Sequence, residues 1–480
     1  MLLAGCAVGP NFSPPKPDVP ETWSRTALGA GAAHASAIAT SAPDIAEWWS
    51  SFNDPTLTSL IERSLEANLD LRESVLRIEE ARAQRQQTAA GLWPTLAANA
   101  SFTRQRFSTN TPQGLVFGIA GSGQIPGLPP GVTITNPFDQ YQLGLSASWE
   151  LDLFGRVRRS VEAADADTQS AIENERGVRI SLASDVAEAY LDLRGAQLRR
   201  SVVERSLATQ RDLYELTRQR WNAGLTTDLD VENASSEVDA TRAQLPPLER
   251  EITQDINQLS RLMDRAPDAL RAELAAARPV PPVPPRVPIG LPAELARRRP
   301  DIRQAEASLH AATARVGVAV ADLFPRLTLS AAGGYQSEGL SQLIQAASRF
   351  GSFGPTIDLP IFEAGARRAA IRLQDAREKE AAIDYARTVL GALNEVENAL
   401  AAYGSDQESR ASLAAASQSS ENALTLARQR YESGLASFIE VLDAERTLQQ
   451  NQLSLAQSTT AESTDLVELY KALGGGWTGS

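Results

Sequence analysis

Side chains able to do covalent or metal chemistry are scarce in this chain of 480 residues: one cysteine, Cys6, and two histidines, His34 and His310. A thiolate metal site needs several cysteines, and a nucleophilic triad needs a histidine beside its nucleophile. His34 and His310 lie far apart in sequence, and no Walker loop, GxSxG elbow or HExxH pair occurs. GSGQIPG, from Gly121 to Gly127, has glycines but no strand directly before it and no helix after it, so it reads as a loop. The composition points away from catalysis.

What Cys6 can do is accept a lipid. Leu3-Ala4-Gly5-Cys6 has the form of a signal-peptide end, apolar and then small residues. It resembles the bacterial lipoprotein box, in which the sulfur forms a thioether to diacylglycerol and cleavage follows in front of it. Pro10, Pro14, Pro15, Pro17 and Pro20 come next, so nothing nearby can build a core around a buried thiol. Residues 1–5 therefore read as a signal-peptide remnant and 6–46 as a lipid-anchored Pro- and Ala-rich segment. The covalent diacylglycerol and N-acyl lipid on Cys6 are the only non-protein groups expected; no cofactor and no metal is. Ala7, not aspartate, after the cysteine implies sorting to the outer membrane.

A net charge of −13 argues against nucleic acid as a partner, since phosphate binding wants a basic face. No run of about 18 apolar residues occurs, so a membrane role has to come through a lipid or a β-barrel.

The chain repeats itself. DLRESVLRIEEARAQRQQTAAGLWPTL (Asp70 to Leu96) aligns without gaps on DIRQAEASLHAATARVGVAVADLFPRL (Asp301 to Leu327), and RQRWNAGL (Arg218 to Leu225) on RQRYESGL (Arg428 to Leu435). Two structural repeats, 47–278 and 293–473, are expected, joined by an extended Pro-rich connector from Pro279 to Pro292 and followed by a tail, 474–480. Helix formers dominate about 155–223 and 364–433, with returning helices about 228–262 and 438–472. At about 1.5 Å per residue each long helix would run on the order of 100 Å, which calls for a coiled-coil-like array or a tube.

Four segments switch to a period of two. In YQLGLSASWELDL every odd position from Tyr141 to Leu153 is apolar and every even one is Gln, Gly, Ser, Glu or Asp. Leu96–Phe102, Leu327–Tyr335 and Phe353–Ile361 follow the same rule, giving hairpins at about 95–153 and 326–361. One such strand alone fits a half-buried soluble hairpin; four together match transmembrane barrel strands. Four strands cannot close a barrel, and an open edge in lipid strands backbone groups at several kcal/mol each. Chains must then share a barrel. Eight strands would fill with side chains and twelve could leave a lumen, so the order of the oligomer stays open.

Gly224 and Gly434 each follow a long helix, where glycine readily takes the left-handed conformation of a helix stop. Beyond them, Thr227-x-x-Asp230 and Ser437-x-x-Glu440 are capping-box patterns. Asp443 fits no cap and precedes Arg446 by one helical turn, within reach of it on one helix or across to a neighbour.

With Glu47–Leu71, Arg298–Glu306 (RRPDIRQAE), the two RQR[WY]xxGL turns and LYKALGGGW (Leu469 to Trp477), the chain resembles the lipidated, OprM/NodT-like branch of the TolC-like outer-membrane efflux channels. The resemblance implies a mixed α and β membrane protein. Three chains would share a twelve-stranded β-barrel in the outer membrane, continued by a long α-helical periplasmic tunnel. It implies a homotrimer that does no chemistry, with a periplasmic adaptor and a proton-driven inner-membrane RND pump as partners and drugs or other small toxic molecules as cargo. It implies adaptor contacts at Arg220, Gly224, Leu225, Arg430, Gly434 and Leu435, and a periplasmic gate at Asp443, Arg446 and Ile439, braced by Tyr431. Asp230 and Glu440 fall in the same stretches and have two readings, gate or cap. Ala436 stands where those channels carry a tip arginine. A channel of the same fold serving type I protein secretion is the near alternative. A soluble structural coiled coil, which leaves strands and lipid box unexplained, is the remote one. Expressed behind a full signal sequence, the mature protein should begin at acylated Cys6 by intact mass, and Cys6→Ser should abolish the lipid; an unmodified mature chain would refute this.

Overall fold

The computed structural model describes residues 7–16, 19–24, 37–39, 45–108, 110–112, 114–115 and 136–477; Cys6, His34 and the GSGQIPG loop lie outside them. The helices are α1 (Pro55–Ala67), α2 (Leu69–Ala89), α3 (Arg156–Asn222), α4 (Asp228–Arg242), α5 (Leu245–Leu262), α6 (Arg271–Leu274), α7 (Pro292–Arg298), α8 (Pro300–Ala321), α9 (Ala366–Glu432) and α10 (Phe438–Ala472). The strands are β1 (Ala37–Ala39), β2 (Thr95–Gln105), β3 (Phe138–Leu151), β4 (Arg286–Pro288), β5 (Arg326–Ser337) and β6 (Arg349–Asp358). They fall into two units, 1–13 with 81–168 and 308–381, and 14–80 with 169–307 and 382–480. Each unit draws on both sequence halves, so the halves are not the compact units. The cause is helix length: α3 and α9, at 67 residues each, keep different neighbours at their two ends.

In the first unit β2, β3, β5 and β6 form one antiparallel sheet in that order. Register puts the apolar residues in rows: Leu96, Ala147, Ala331 and Phe353 in one, Leu151, Leu327 and Ile357 in another. Phe102 lies on Tyr141 with ring centroids 4.8 Å apart. Leu96, Phe102, Leu145, Phe353 and Ile357 are all more than half exposed, so the apolar face is bare. The other face is polar, with Asn99 donating to Ser146 at 2.8 Å. Among the described residues β2 and β6 are unpaired on their outer sides. β6 stops at Asp358, short of Ile361, because Pro360 has no N–H for a ladder. β3 ends at Leu151 since Asp152 leaves the strand to cap α3, accepting from the backbone N–H groups of Val157 and Arg158. Just after Cys6 in the chain, Val8 N–H donates to the Phe154 carbonyl at 3.1 Å, and Phe12 stacks on His310 at 4.3 Å.

In the second unit a core joins Trp48, Phe52, Leu57 and Ile61 to Tyr190 of α3, Ile256 of α5, Tyr403 of α9 and Tyr470 of α10. The connector from Pro279 to Pro292 is largely non-helical, and it packs into this core: Val287 and Ile289 are buried, and Trp23 donates to the Gly290 carbonyl at 3.1 Å. The returning segment 228–262 is two helices, not one. Pro246 and Pro247 lack the N–H groups an unbroken helix would use, and they sit instead in the first turn of a new one, α5. Arg299 binds Asp301 and Glu395, each at 2.6 Å, and the Ala472 carbonyl.

The terminal GGGW is a clasp in this unit. Gly476 N–H donates to the Ile45 carbonyl, Trp477 donates to Arg298 O at 3.1 Å, and Arg176 and Arg303 lie over the Trp477 ring. A Cβ on Gly475 would sit 3.0 Å from both Ile45 O and Trp48 Cδ1 and 3.1 Å from Tyr470 O. Gly475→Ala should therefore destabilise the fold by about 1–3 kcal/mol, read in denaturant melts; an unchanged midpoint would mean the clasp yields freely.

Candidate functional site

The two repeated turns come together in the second unit. After α3, Gly224 takes φ +71°, its N–H donates to Trp221 O, and Leu225 N–H donates to Arg220 O. After α9, Gly434 takes φ +73°, with Gly434 to Tyr431 O and Leu435 to Arg430 O. Each is a Schellman stop. No heavy atom lies within 4 Å of a Cβ built on either glycine, so the requirement is backbone conformation alone.

α4 and α10 begin with the anticipated capping boxes. Asp230 N–H donates to Thr227 Oγ1, and Thr226 Oγ1 reaches Asp230 Oδ2. Ser437 N–H donates to Glu440 Oε1 at 3.0 Å, which holds that carboxyl below its ordinary value. Asp230 and Glu440 are thus turned back on their own first turns, and capping is the role their geometry gives.

A small core of Leu213, Ala234, Tyr431, Phe438, Val441 and Leu442 ties the two turns together. Tyr431 is buried in it, 6.0 Å from Phe438 ring to ring. Arg220, expected at the adaptor contact, is drawn inward: its guanidinium lies 4.6 Å over the Tyr431 ring and donates to Tyr431 O at 3.1 Å. The buried aromatic face and the carbonyls at the helix end attract it more than solvent does. Arg430 stays exposed and reaches Leu435 O at 3.3 Å. Gly224, Leu225, Gly434 and Leu435 are exposed at the tips; the two leucines show 64% and 71% of their surface.

The acid and base one turn apart on α10 do not pair. Arg446 reaches across to Glu237 of α4, Nε at 2.9 Å and Nη2 at 2.5 Å from the same oxygen, and this carboxylate raises the guanidinium further above its ordinary value. Glu237 is the better anchor because it is mostly buried and needs a partner, whereas Asp443 is hydrated. Asp443 and Ile439 are exposed on α10, and Asp443 has no ion pair among the described residues. Sequence reasoning missed Glu237; the signal was that Glu237 and Arg446 stand nearly the same distance beyond Gly224 and Gly434. It also missed Glu445, buried against α3, where Ser206 donates to it at 2.8 Å and burial pushes its carboxyl up.

A bare apolar β-face on an open-edged sheet, with 67-residue helices ending in a braced pair of turns, is the make-up of an outer-membrane channel protein. Residues 60–265 and 291–475 match the family described as outer membrane efflux protein, and the chain belongs to it. It is 35% identical over 478 residues to outer membrane protein OprJ of Pseudomonas aeruginosa, covering 99% of this chain and 94% of that protein. It is 33% identical to the solvent efflux pump outer membrane protein SrpC of Pseudomonas putida, covering 99% and 97%. The solved outer-membrane channel OprN superposes with a TM-score of 0.87 at 36% identity, over 98% of this chain and 100% of that one. The protein is an outer-membrane efflux channel, an exit duct.

A double-mutant cycle of Glu237→Gln and Arg446→Ala should give a coupling of about 1 kcal/mol, discounted for Arg446's exposure. Arg446→Ala alone should cost more than Glu237→Gln, because it leaves a buried carboxylate unpaired; zero coupling in urea melts would dissolve the pair.

Proposed function

We propose that three copies of the chain close one twelve-stranded barrel and conduct drugs or other small toxic molecules out of the cell. A periplasmic adaptor and an inner-membrane RND pump would deliver the cargo. The observation that carries this reading is the sheet: four strands, an exposed apolar face and two unpaired edges. In lipid those edges must be paired, and twelve strands leave a lumen where eight would not. Solvent export by SrpC, as its name states, supports the cargo class. An acylated Cys6 would add a second attachment to the outer membrane. The exposed tips at Gly224, Leu225, Arg430, Gly434 and Leu435 supply the surface for the adaptor, while Arg220 positions them from behind.

The gate reading assigns Arg446 to hold α10 against α4, leaving Ile439 and Asp443 free to narrow the tunnel mouth from each chain. A ring of Asp443 carboxylates would favour cations in the pore. In planar bilayers, Arg446→Ala trimers should show raised resting conductance, and cells carrying them should become sensitive to vancomycin. Glu237→Gln should act in the same direction and Arg446→Lys less. Equal conductance in folded parent and mutant trimers would put the gate elsewhere.

A further inference from the structure

Away from the turns, the second unit holds the same arrangement of charge twice. Arg410 of α9 pairs with Glu462 of α10 at 2.9 Å. The two helices are joined by the tight turn at Gly434 and run antiparallel. Four residues back from Arg410 and three forward from Glu462 therefore lead the same way, one helical turn along. Asp406 and Asp465 stand there, within side-chain hydrogen-bond reach of one another. Asp465 Oδ2 is buried and has no hydrogen-bond partner among the described residues. In the first repeat, Arg199 of α3 pairs with Glu251 of α5 at 2.5 Å. One turn on from Glu251 comes Asp255, whose Oδ2 is also buried and without a partner. Asp192 lies two turns from Arg199 on the same face of α3. Asp255 and Asp465 are the same number of residues beyond Gly224 and Gly434, so duplication has kept this feature at one register.

Two carboxylates facing each other with no cation between them cannot both stay ionised, but one proton held between them satisfies both. We propose that Asp406 and Asp465 share one proton and that Asp255 holds one against α3, two protonated carboxyls that brace each long helix against its returning helix and let go as the pH rises. Burial, reinforced by neighbouring carboxylates, pushes Asp255 and Asp465 up to about 7. The charged groups acting on Asp255 are Asp192 and Arg199 on α3 and Glu251 on its own helix. Those acting on Asp465 are Asp406 on α9 and Glu468 and Glu462 on its own helix; Arg410, one turn away, is engaged by Glu462. Because the folded chain holds these protons more tightly than the unfolded chain, the braces are fully present below the unfolded carboxyl range. Their contribution is lost as the pH climbs to about 7. The two protonated carboxyls would thus tie the rigidity of both helix hairpins to the acidity around them.

Infrared difference spectra of the detergent-solubilised full-length protein, taken between about pH 5.5 and about pH 8.5, test this across the predicted window. A protonated-carboxyl band should weaken over that range; the change should fall to about half in Asp255→Asn or Asp465→Asn, and in the double variant to the small remainder from other buried carboxyls such as Glu445 and Glu462. Asp406→Asn separates sharing from burial. Its amide donates to Asp465, so the Asp465 proton should be lost well below neutral pH. Persistence of that band in Asp406→Asn, or a band unchanged in the double variant, would overturn the proposal. The parent's melting temperature should also fall with rising pH more steeply than that of the double variant, and equal slopes would count against the braces.

Discussion

An unpaired strand edge cannot survive in hydrocarbon, and much of this molecule follows from that. Water would satisfy the outer backbone groups of β2 and β6; lipid offers nothing to do so. The exposed face of Leu96, Phe353 and Ile357 calls for an apolar surrounding, while Asn99 and Ser146 on the opposite face call for a wet one. A sheet with one greasy face, one polar face and two hungry edges is half of a contract that only further strands complete. The strand–helix junctions then have to deliver the chain from lipid to water without loose ends, and Asp152 does so by capping α3 with the residue that ends the strand.

At the far ends of the helices the forces are smaller and more evenly balanced. The turns are held by a core of six buried residues, one cation over a tyrosine ring and one half-exposed ion pair. None of these is individually strong. Under the proposed gate reading such contacts would suit a closure: enough to favour one arrangement, too little to prevent the other. The deep core around Trp48 and Tyr470, locked by the glycine clasp, is the contrasting case, built to stay fixed.

Local rules were legible in the residues, and partner choice was not. The alternation in Tyr141–Leu151, the glycine stops and both capping boxes depend on neighbours a few positions away, so their chemistry is written in short stretches. The break at Pro246 rests on an equally local rule, that proline cannot continue a helix interior, yet the reading of one helix over 228–262 runs through it. Arg446 choosing Glu237 over Asp443 depends on which carboxylate is buried, and burial is fixed only when α4 and α10 lie side by side. The inward turn of Arg220 is of the same kind, because Tyr431 lies more than 200 residues away. The compact units escaped the repeat analysis because a duplicated sequence need not fold as two separate bodies.

Both long helices have 67 residues, counted from strand junction to glycine stop. Inserting one residue in either would turn everything beyond it by about 100° and advance it by about 1.5 Å. Leu213 would then leave Tyr431, and Arg220 would miss its ring. Length changes are tolerable only in near-multiples of the heptad, or when both helices change together. The gene can accept substitutions along these helices far more easily than it can accept insertions.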